Sequence, residues 1–234
     1  GDMAWGAALM VSLAIMTAVM ALSYFLIAPL VFKSDLTSTI ATLGIGLIAQ
    51  GVTQLVFGSN VVSLELPLPN WYAQVGSMRI TSYDMAVLVV TAASVGLLYL
   101  LIERTRVGIA FRAVSANPFA SRVCGLSLRR IHLFSWVVAG LLGLVAALLI
   151  VPTTFLSSTS VSSFMLQAFA AAVVGGFSSL PGAVVGGVFI GVLMNLLSFY
   201  VAAEFTNTYL LMVILLTLNV FPKGVLATRG GARV

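Results

Sequence analysis

Charged side chains are scarce in this chain. It has 234 residues, and only 7% of them are Asp, Glu, Lys or Arg. A typical soluble domain has about 25% charged residues. The low charge therefore excludes an ordinary soluble domain, and the 61% of hydrophobic residues indicates a membrane protein.

Several kinds of chemical site are also missing from the sequence. A single cysteine, Cys124, excludes an internal disulfide bond. There is no Gly-x-x-x-x-Gly-Lys-Ser/Thr sequence to bind ATP, no clustered His, Cys, Asp and Glu set for a metal, and no supported Ser–His–Asp arrangement. We therefore expect a chain that is not an enzyme, with no catalytic residue, metal or cofactor of its own. Its basic residues lie in short loops, which does not favour binding of nucleic acid.

Long apolar runs fill most of the sequence. A bilayer core of roughly 30 Å needs about 20 apolar residues per helix. We predict an all-α fold, a polytopic transmembrane helical bundle that forms a single domain over residues 1–234. Its spans, about seven, are predicted at Ala4–Val31, Ile40–Phe57, Asp84–Ile102, Ile131–Val151, Phe164–Phe177, Ala183–Ala202 and Tyr209–Phe221.

The segment Arg104–Arg130 contains six of the eleven basic residues and no acid. Because loops rich in Arg and Lys face the cytoplasm, we predict that this loop and the basic C-terminal tail are both cytoplasmic. Four predicted spans separate them, an even number, as that placement requires. The same parity makes Lys33 cytoplasmic and Gly1 external, which favours a missing leading span.

Within this loop, the residue pattern predicts a short helix. Asn117 and Pro118 are typical of a helix start, and Gly125 is typical of a helix stop. Phe119 and Val123 are four residues apart and share one face, which would fit a groove on a soluble partner. The alternative is that the arginines only orient the protein and that Phe119 dips into lipid. Upstream, residues 109–114 favour an amphipathic helix at the interface.

Polar residues within the apolar runs are candidates for a translocation pathway, because buried polar groups in membranes are costly and often functional. The alternative for them is hydrogen bonding between helices. The break Gly175–Gly182 has two interpretations, a central ligand site or a cytoplasmic turn, and nearby pairs of glycines favour close helix packing. The pathway candidates are Thr42, Gln50, Gln54, Gln167 and Asn195.

The arginine-rich loop resembles the ATPase-contacting loop of bacterial ABC importer permeases. That motif has Glu-Ala-Ala, three residues and then Gly, where this chain has Phe119-Ala120-Ser121, three residues and then Gly125. The acidic residue is absent here, and Ser121 replaces the second alanine. This loop and the segments 41–44 and 168–183 are similar to the branched-chain amino acid permease family, over roughly residue 39 to the C-terminus.

The resemblance implies a type II ABC importer-like permease in the bacterial inner membrane, with the loop as its coupling element. Family members pair with a second, homologous permease, so a heterodimer is expected. They also work with two ATP-binding subunits, which hold ATP and Mg, and with a periplasmic substrate-binding protein. The residues expected to couple this chain to the ATPases are Arg112, Asn117, Phe119, Ala120, Ser121, Arg122 and Gly125.

The expected function is thus import of branched-chain or other amino acids by alternating access. The alternatives are a permease of the same family for urea, amides or sugars, and a stand-alone channel or secondary carrier. The Asn-Phe-Ala-His-Gly type motif of the family's N-terminal spans is not found in this sequence. We therefore expect that those N-terminal spans are missing from this chain.

Overall fold

The structure is a computed structural model that describes residues 2–31, 35–58, 71–75, 78–153, 160–177, 179–201, 203–221 and 224. The chain divides into two compact units, Gly1–Ser158 and Thr159–Val234. The described residues form nine α-helices, one two-stranded hairpin and one short 3-10 helix. The expectation that the two units act as a single permease domain stays a prediction.

The first unit contains six helices and the hairpin. Their bounds are α1 Asp2–Val31, α2 Asp35–Phe57, β1 Tyr72–Val75, β2 Met78–Thr81, α3 Ser82–Arg104, α4 Arg106–Ala116, α5 Pro118–Val123 and α6 Leu128–Ile150.

The second unit contains three helices and the 3-10 helix. Their bounds are α7 Ser160–Gly175, α8 Leu180–Tyr200, the 3-10 helix Ala203–Phe205 and α9 Thr206–Val220.

Four of these helices are long and apolar enough to cross a membrane by length and composition: Trp5–Ala28 within α1, and the whole of α3, α6 and α8. Three shorter apolar stretches, Ile40–Val56, Phe164–Gly175 and Thr206–Val220, lie in α2, α7 and α9. The predicted helical membrane fold is therefore confirmed. The expected total of about seven spans stays a prediction.

Two helices begin before the predicted spans. Helix α2 begins at Asp35 and α7 at Ser160, whereas their apolar stretches begin at Ile40 and Phe164, as predicted. Both helices extend past their apolar residues because Ser, Thr and Asp are well tolerated in a first helical turn. Thr206 and Asn207 likewise open α9, ahead of the span predicted from Tyr209. The basic residues Lys33, Lys223, Arg229 and Arg233 lie outside the described residues.

Two tyrosines fix how α6 packs within the first unit. The hydroxyl of Tyr24, near the end of α1, donates to the carbonyl oxygen of Arg129 at the start of α6, at 2.9 Å. The hydroxyl of Tyr83, near the start of α3, donates to the carbonyl oxygen of Leu149 near the end of α6. Both α1 and α3 therefore run antiparallel to α6, so the ends of α1 and α3 lie on the same side as the start of α6.

The hairpin precedes α3 and is joined to it by a capping box. The strands β1 and β2 are antiparallel, with Tyr72 opposite Thr81. The Oδ2 atom of Asp84 accepts from the backbone N–H of Thr81 at 2.8 Å, and the Thr81 hydroxyl accepts in turn from the Asp84 N–H. This reciprocal pair satisfies donors that the start of a helix leaves free. The hairpin thus leads directly into the first turn of α3.

Backbone contact between glycines holds α7 and α8 together in the second unit. A Cβ atom added at Gly186 would lie 2.4 Å from the carbonyl oxygen of Ala171, and one added at Gly182 would lie 2.3 Å from that of Gly175. Only glycine allows such an approach. By contrast, a Cβ atom at Gly191 would meet nothing within 4 Å. Of the two predicted glycine pairs, Gly182 and Gly186 form the close contact.

These contacts bring together a small apolar core. Side chains of α7, α8 and α9 contribute to it, and the aliphatic residues are nearly inaccessible to solvent. Its buried members are Ala170, Val173, Val174, Ile190, Met194, Leu210 and Ile214.

Substitution at Gly186 tests this packing. We expect Gly186→Ala to lower the free energy of unfolding by about 1–3 kcal/mol, the usual cost of inserting a methyl group into a filled contact. Gly191→Ala is the matched control and should be neutral or slightly stabilising, since alanine favours a helix more than glycine does. Unfolding titrations in detergent measure both, and equal stability of the two variants would contradict the contact.

Candidate functional site

Helix α5 begins at a cap formed by Asn117. The Oδ1 atom of Asn117 accepts a hydrogen bond from the backbone N–H of Ala120 at 3.0 Å, and Pro118 occupies the first helical position. The backbone N–H of Asn117 also donates to the carbonyl oxygen of Ala113, the last such bond of α4. Asn117 therefore ends one helix and starts the next, as the Asn-Pro pair predicts for a helix start.

The end of α5 is closed by Gly125. The N–H of Leu126 donates to the carbonyl oxygen of Ser121 at 3.0 Å, and the N–H of Gly125 donates to that of Arg122 at 2.9 Å. Gly125 has a φ of 82°, a conformation that L side chains rarely adopt. This pair of bonds is a Schellman motif, which satisfies the last carbonyl groups of a helix. The predicted stop at Gly125 is thus confirmed.

The two faces of α5 differ in exposure. Phe119 and Val123 are 77% and 75% exposed, although both are apolar. Ser121 faces the other way and is only 4% exposed, with its hydroxyl donating to the carbonyl oxygen of Asn117 at 2.9 Å. Val114 of α4 and Leu128 of α6 are also buried, and α5 contacts both of these helices. The loop thus presents a fixed apolar face.

The two predicted coupling arginines occupy different helices. Arg112 lies on α4, where its guanidinium group contacts the carboxylate of Glu103 at 2.6 Å, and both side chains are about half exposed. Such an exposed ion pair contributes about 0–1 kcal/mol. Arg122 lies on α5 and is exposed, as is Ala120. Arg112 therefore lies on a different helix from the exposed apolar face of α5.

Sequence analysis did not identify the elbow between α3 and α4. The hydroxyl of Thr105 donates to the carbonyl oxygen of Leu101 at 2.5 Å and accepts from the N–H of Gly108 at 3.2 Å. A Cβ atom at Gly108 would lie 2.0 Å from the carbonyl oxygen of Ile102, so this position requires glycine. The threonine three residues before this glycine is a capping signal that was available in the sequence.

The predicted pathway residues of α2 lie on a mostly exposed helix. Thr42 and Gln50 are half-buried, whereas Gln54 is exposed. Gln50 and Gln54 are four residues apart and therefore share one side of α2. The hydroxyl of the nearby Thr53 donates to the carbonyl oxygen of Ala49 at 2.8 Å and so satisfies itself within the helix.

The other two pathway residues belong to the second unit, and the structure does not bring them together. Gln167 is half-buried and lies on the same side of α7 as the buried Ala170 and Val174. Asn195 is exposed and follows the buried Met194 on α8, so it points away from the core of the unit. Their placement therefore does not support one site shared by Gln167 and Asn195.

The break Gly175–Gly182 is a tight turn between antiparallel helices. Gly176 has a φ of 95°, and its N–H donates to the carbonyl oxygen of Ala172 at 2.9 Å. The hydroxyl of Ser179 accepts from the N–H of Gly182 at 3.1 Å and caps α8. The N–H groups of Gly176 and Gly182 are therefore bonded within the chain. Gly224 packs against this turn, since a Cβ atom there would lie 2.3 Å from the Cα of Gly176.

Comparison with known proteins places this architecture in a family. Residues 2–220 match the family described as the branched-chain amino acid transport system / permease component. The chain belongs to this permease family. Membership agrees with the apolar helices and indicates a multi-pass membrane protein.

Individual relatives of this permease are similar over parts of their length. A probable branched-chain amino acid transport permease protein LivH from Methanocaldococcus jannaschii is 33% identical over 135 residues, covering 55% of this chain and 43% of the relative. The high-affinity LivH permease of Salmonella typhimurium is 29% identical over 198 residues, covering 82% and 64%. The galactofuranose transporter permease protein YtfT of Escherichia coli is 26% identical over 145 residues, covering 61% and 41%.

The permease chain thus spans about two fifths to two thirds of the length of these curated relatives. No solved structure matches it.

Removal of the Asn117 side chain tests whether its cap stabilises α5. We expect Asn117→Ala to cost about 1 kcal/mol of local stability, because the Ala120 N–H loses its acceptor. Hydrogen exchange of the amides at residues 118–126 should accelerate accordingly. Ser115→Ala is the matched control, since it removes an exposed hydroxyl that bonds within α4. Unchanged exchange in Asn117→Ala would show that the cap does not hold α5 in place.

Proposed function

We propose that this chain is the transmembrane permease subunit of an ATP-driven importer of the bacterial inner membrane. The observation that carries this proposal is helix α5, which is capped and has an exposed apolar face, in a chain of the permease family. Its substrates are branched-chain amino acids, in line with the names of the LivH relatives.

The proposed assembly needs several partners. Two ATP-binding subunits, which bind ATP and Mg, supply the energy on the cytoplasmic side. A second homologous permease completes the path through the membrane, and a periplasmic binding protein delivers the substrate. No covalent chemistry takes place in this chain, whose part is to bind, move and release.

Docking of an ATP-binding subunit uses the apolar face of α5. Phe119 and Val123 insert into a groove on that subunit, because an exposed aromatic residue on a short fixed helix is suited to such a groove. Ser121 is buried on the opposite side, and this burial opposes rotation of α5 about its axis when the partner binds. In this arrangement, apolar insertion of Phe119 replaces the charge that the acidic residue of the family motif would provide.

Movement of α5 then reaches the spans by two routes. One passes through Asn117 into α4 and through Thr105 into α3. The other passes through the short turn at Gly125 into α6, and from Arg129 to Tyr24 of α1. Alternating access follows when these spans shift, and the substrate passes the polar side of α2 that carries Thr42, Gln50 and Gln54. Gln167 and Asn195 contact the substrate at separate points of the pathway, because their placement does not support one shared site.

A sugar is the second candidate substrate. The galactofuranose permease of Escherichia coli is among the relatives, so this family is not restricted to amino acids. Urea and amides remain within the same class of small polar solutes. A stand-alone channel or secondary carrier leaves the exposed Phe119 without a purpose, and we do not favour it.

The docking role of α5 is tested by Phe119→Asp. With the partner subunits reconstituted in vesicles, we expect a loss of at least about tenfold in substrate-stimulated ATP hydrolysis, because a buried carboxylate without a partner costs more than 1.4 kcal/mol. Val123→Asp should act in the same way. Ser115→Asp adds the same charge at an exposed position of α4 and should leave hydrolysis unchanged. Normal hydrolysis in both α5 variants would overturn the docking role.

The pathway is tested by Gln50→Leu. We expect uptake of leucine to fall severalfold, while co-purification with the ATP-binding subunits stays normal, since the amide is far from α5 in sequence and serves the solute. Thr53→Val is the control on the same helix, because its hydroxyl already bonds to Ala49. Uptake that falls equally in both variants would indicate a packing role for α2. Competition of leucine uptake by galactofuranose would favour the sugar instead.

A further inference from the structure

Positive charge at one end of the first unit is largely uncompensated. Glu103 is the acid nearest to the arginine-rich segment, and it pairs with Arg112. Of the other exposed arginines, four at the helix ends of this unit have no ion pair with a carboxylate among the described residues. They lie at the end of α3, the start of α4 and the first turn of α6, namely Arg104, Arg106, Arg129 and Arg130.

One of these arginines lies at the depth where the spans end. The guanidinium carbon of Arg129 is 5.4 Å from the centre of the Phe25 ring, a distance at which a cation is attracted to an aromatic face. Phe25 is 51% exposed and belongs to the candidate span Trp5–Ala28, three residues before its end. Arg129 is the second residue of the candidate span Leu128–Ile150. The ends of these two candidate spans thus place the pair near the expected boundary between hydrocarbon and headgroups.

Helix α4 has the exposure pattern of a helix that lies along the same boundary. Gly108 and Val114 are buried against the protein, whereas Val107 and Ile109 are 40% and 60% exposed. Arg106 begins the helix and is exposed as well. Exposed apolar residues beside a basic one are typical of interfacial helices, which bury their apolar face in the boundary region and bind anionic lipids.

We propose that Arg129 and Phe25, with Arg106 at the same end of the unit, form a binding surface for the phosphate headgroup of an anionic phospholipid. The planar guanidinium group donates two parallel hydrogen bonds to phosphate oxygens. The Phe25 ring contacts the Arg129 guanidinium group from one side. Arg104 and Arg130 add to the positive potential that attracts the lipid.

A soluble partner fits this surface less well than a lipid does. Phe25 lies inside a candidate span, so the arginine on its ring is at the level of lipid phosphates rather than in free solution. The proposed docking of an ATP-binding subunit uses a different surface, Phe119 and Val123 of α5. The proposal does not depend on the transported solute or on that docking.

Lipid titration of the purified full chain tests the surface. Native mass spectrometry would compare dioleoyl-phosphatidylglycerol with dioleoyl-phosphatidylcholine, which have the same acyl chains. We expect tighter binding of the anionic lipid, and about a fivefold loss of that affinity in Arg129→Gln. Phe25→Leu should lose about two- to fivefold, because it keeps the apolar span but removes the ring. Binding of the neutral lipid should not change in either variant.

The control is Arg79→Gln, which removes an exposed arginine from strand β2 and should leave affinity for phosphatidylglycerol unchanged. The Arg129 substitution spares the bond to Tyr24, which uses the backbone carbonyl. If Arg129→Gln nevertheless fails to fold, Arg106→Gln on the exposed side of α4 provides the same comparison. Equal affinity of the unmodified chain for both lipids, equal losses in Arg129→Gln and Arg79→Gln, or displacement of the lipid by excess inorganic phosphate would each overturn the proposal.

Discussion

The hydrocarbon of a bilayer offers no hydrogen-bond partner, so each backbone N–H and carbonyl group at that depth must be satisfied by the chain itself. This constraint explains why nearly all described residues are helical and why the turns are so carefully bonded. Thr81, Thr105, Asn117 and Ser179 each place a side-chain oxygen on a helix N-terminus. Hydroxyl groups inside the spans, such as that of Ser94, donate to a carbonyl oxygen one turn earlier. Because the backbone is satisfied within the helices, their side chains can contact lipid, partners or a solute.

Local signals allowed much of this to be predicted from the sequence. The start of α5 at Asn117 and Pro118, its end at Gly125 and its exposed Phe119 all depend on residues within one short segment, and each was predicted correctly. Contacts between distant residues were not predictable in this way. The hydrogen bond from Tyr24 to Arg129 joins residues 105 positions apart, and no sequence pattern near either residue predicts it.

The glycines of α8 show the same limit. Gly182 and Gly186 have the same spacing as Gly187 and Gly191, so sequence alone treats the two pairs alike. They differ because both glycines of the first pair meet the α7 backbone, whereas in the second pair Gly187 only approaches a side chain of α7 and Gly191 meets nothing within 4 Å. That difference depends on how the whole helix is rotated about its axis. For the pathway candidates, rotation again decides: Gln167 lies beside the core of the second unit, whereas Asn195 points out of it. A periodic pattern reports which residues share a face but not which neighbour that face meets.

The joints at Thr105 and Asn117 are each a single residue that is at once the end of one helix and the cap of the next. Helices α3, α4 and α5 therefore follow one another without spare chain. Since each helical residue turns the chain by about 100°, inserting or deleting one residue within α4 would rotate α5 by more than a quarter turn and carry Phe119 to another side. Side chains in this segment can vary over evolution, but its length is far less free to do so. Relatives that keep the same docking geometry should therefore differ here by substitution and place their insertions elsewhere.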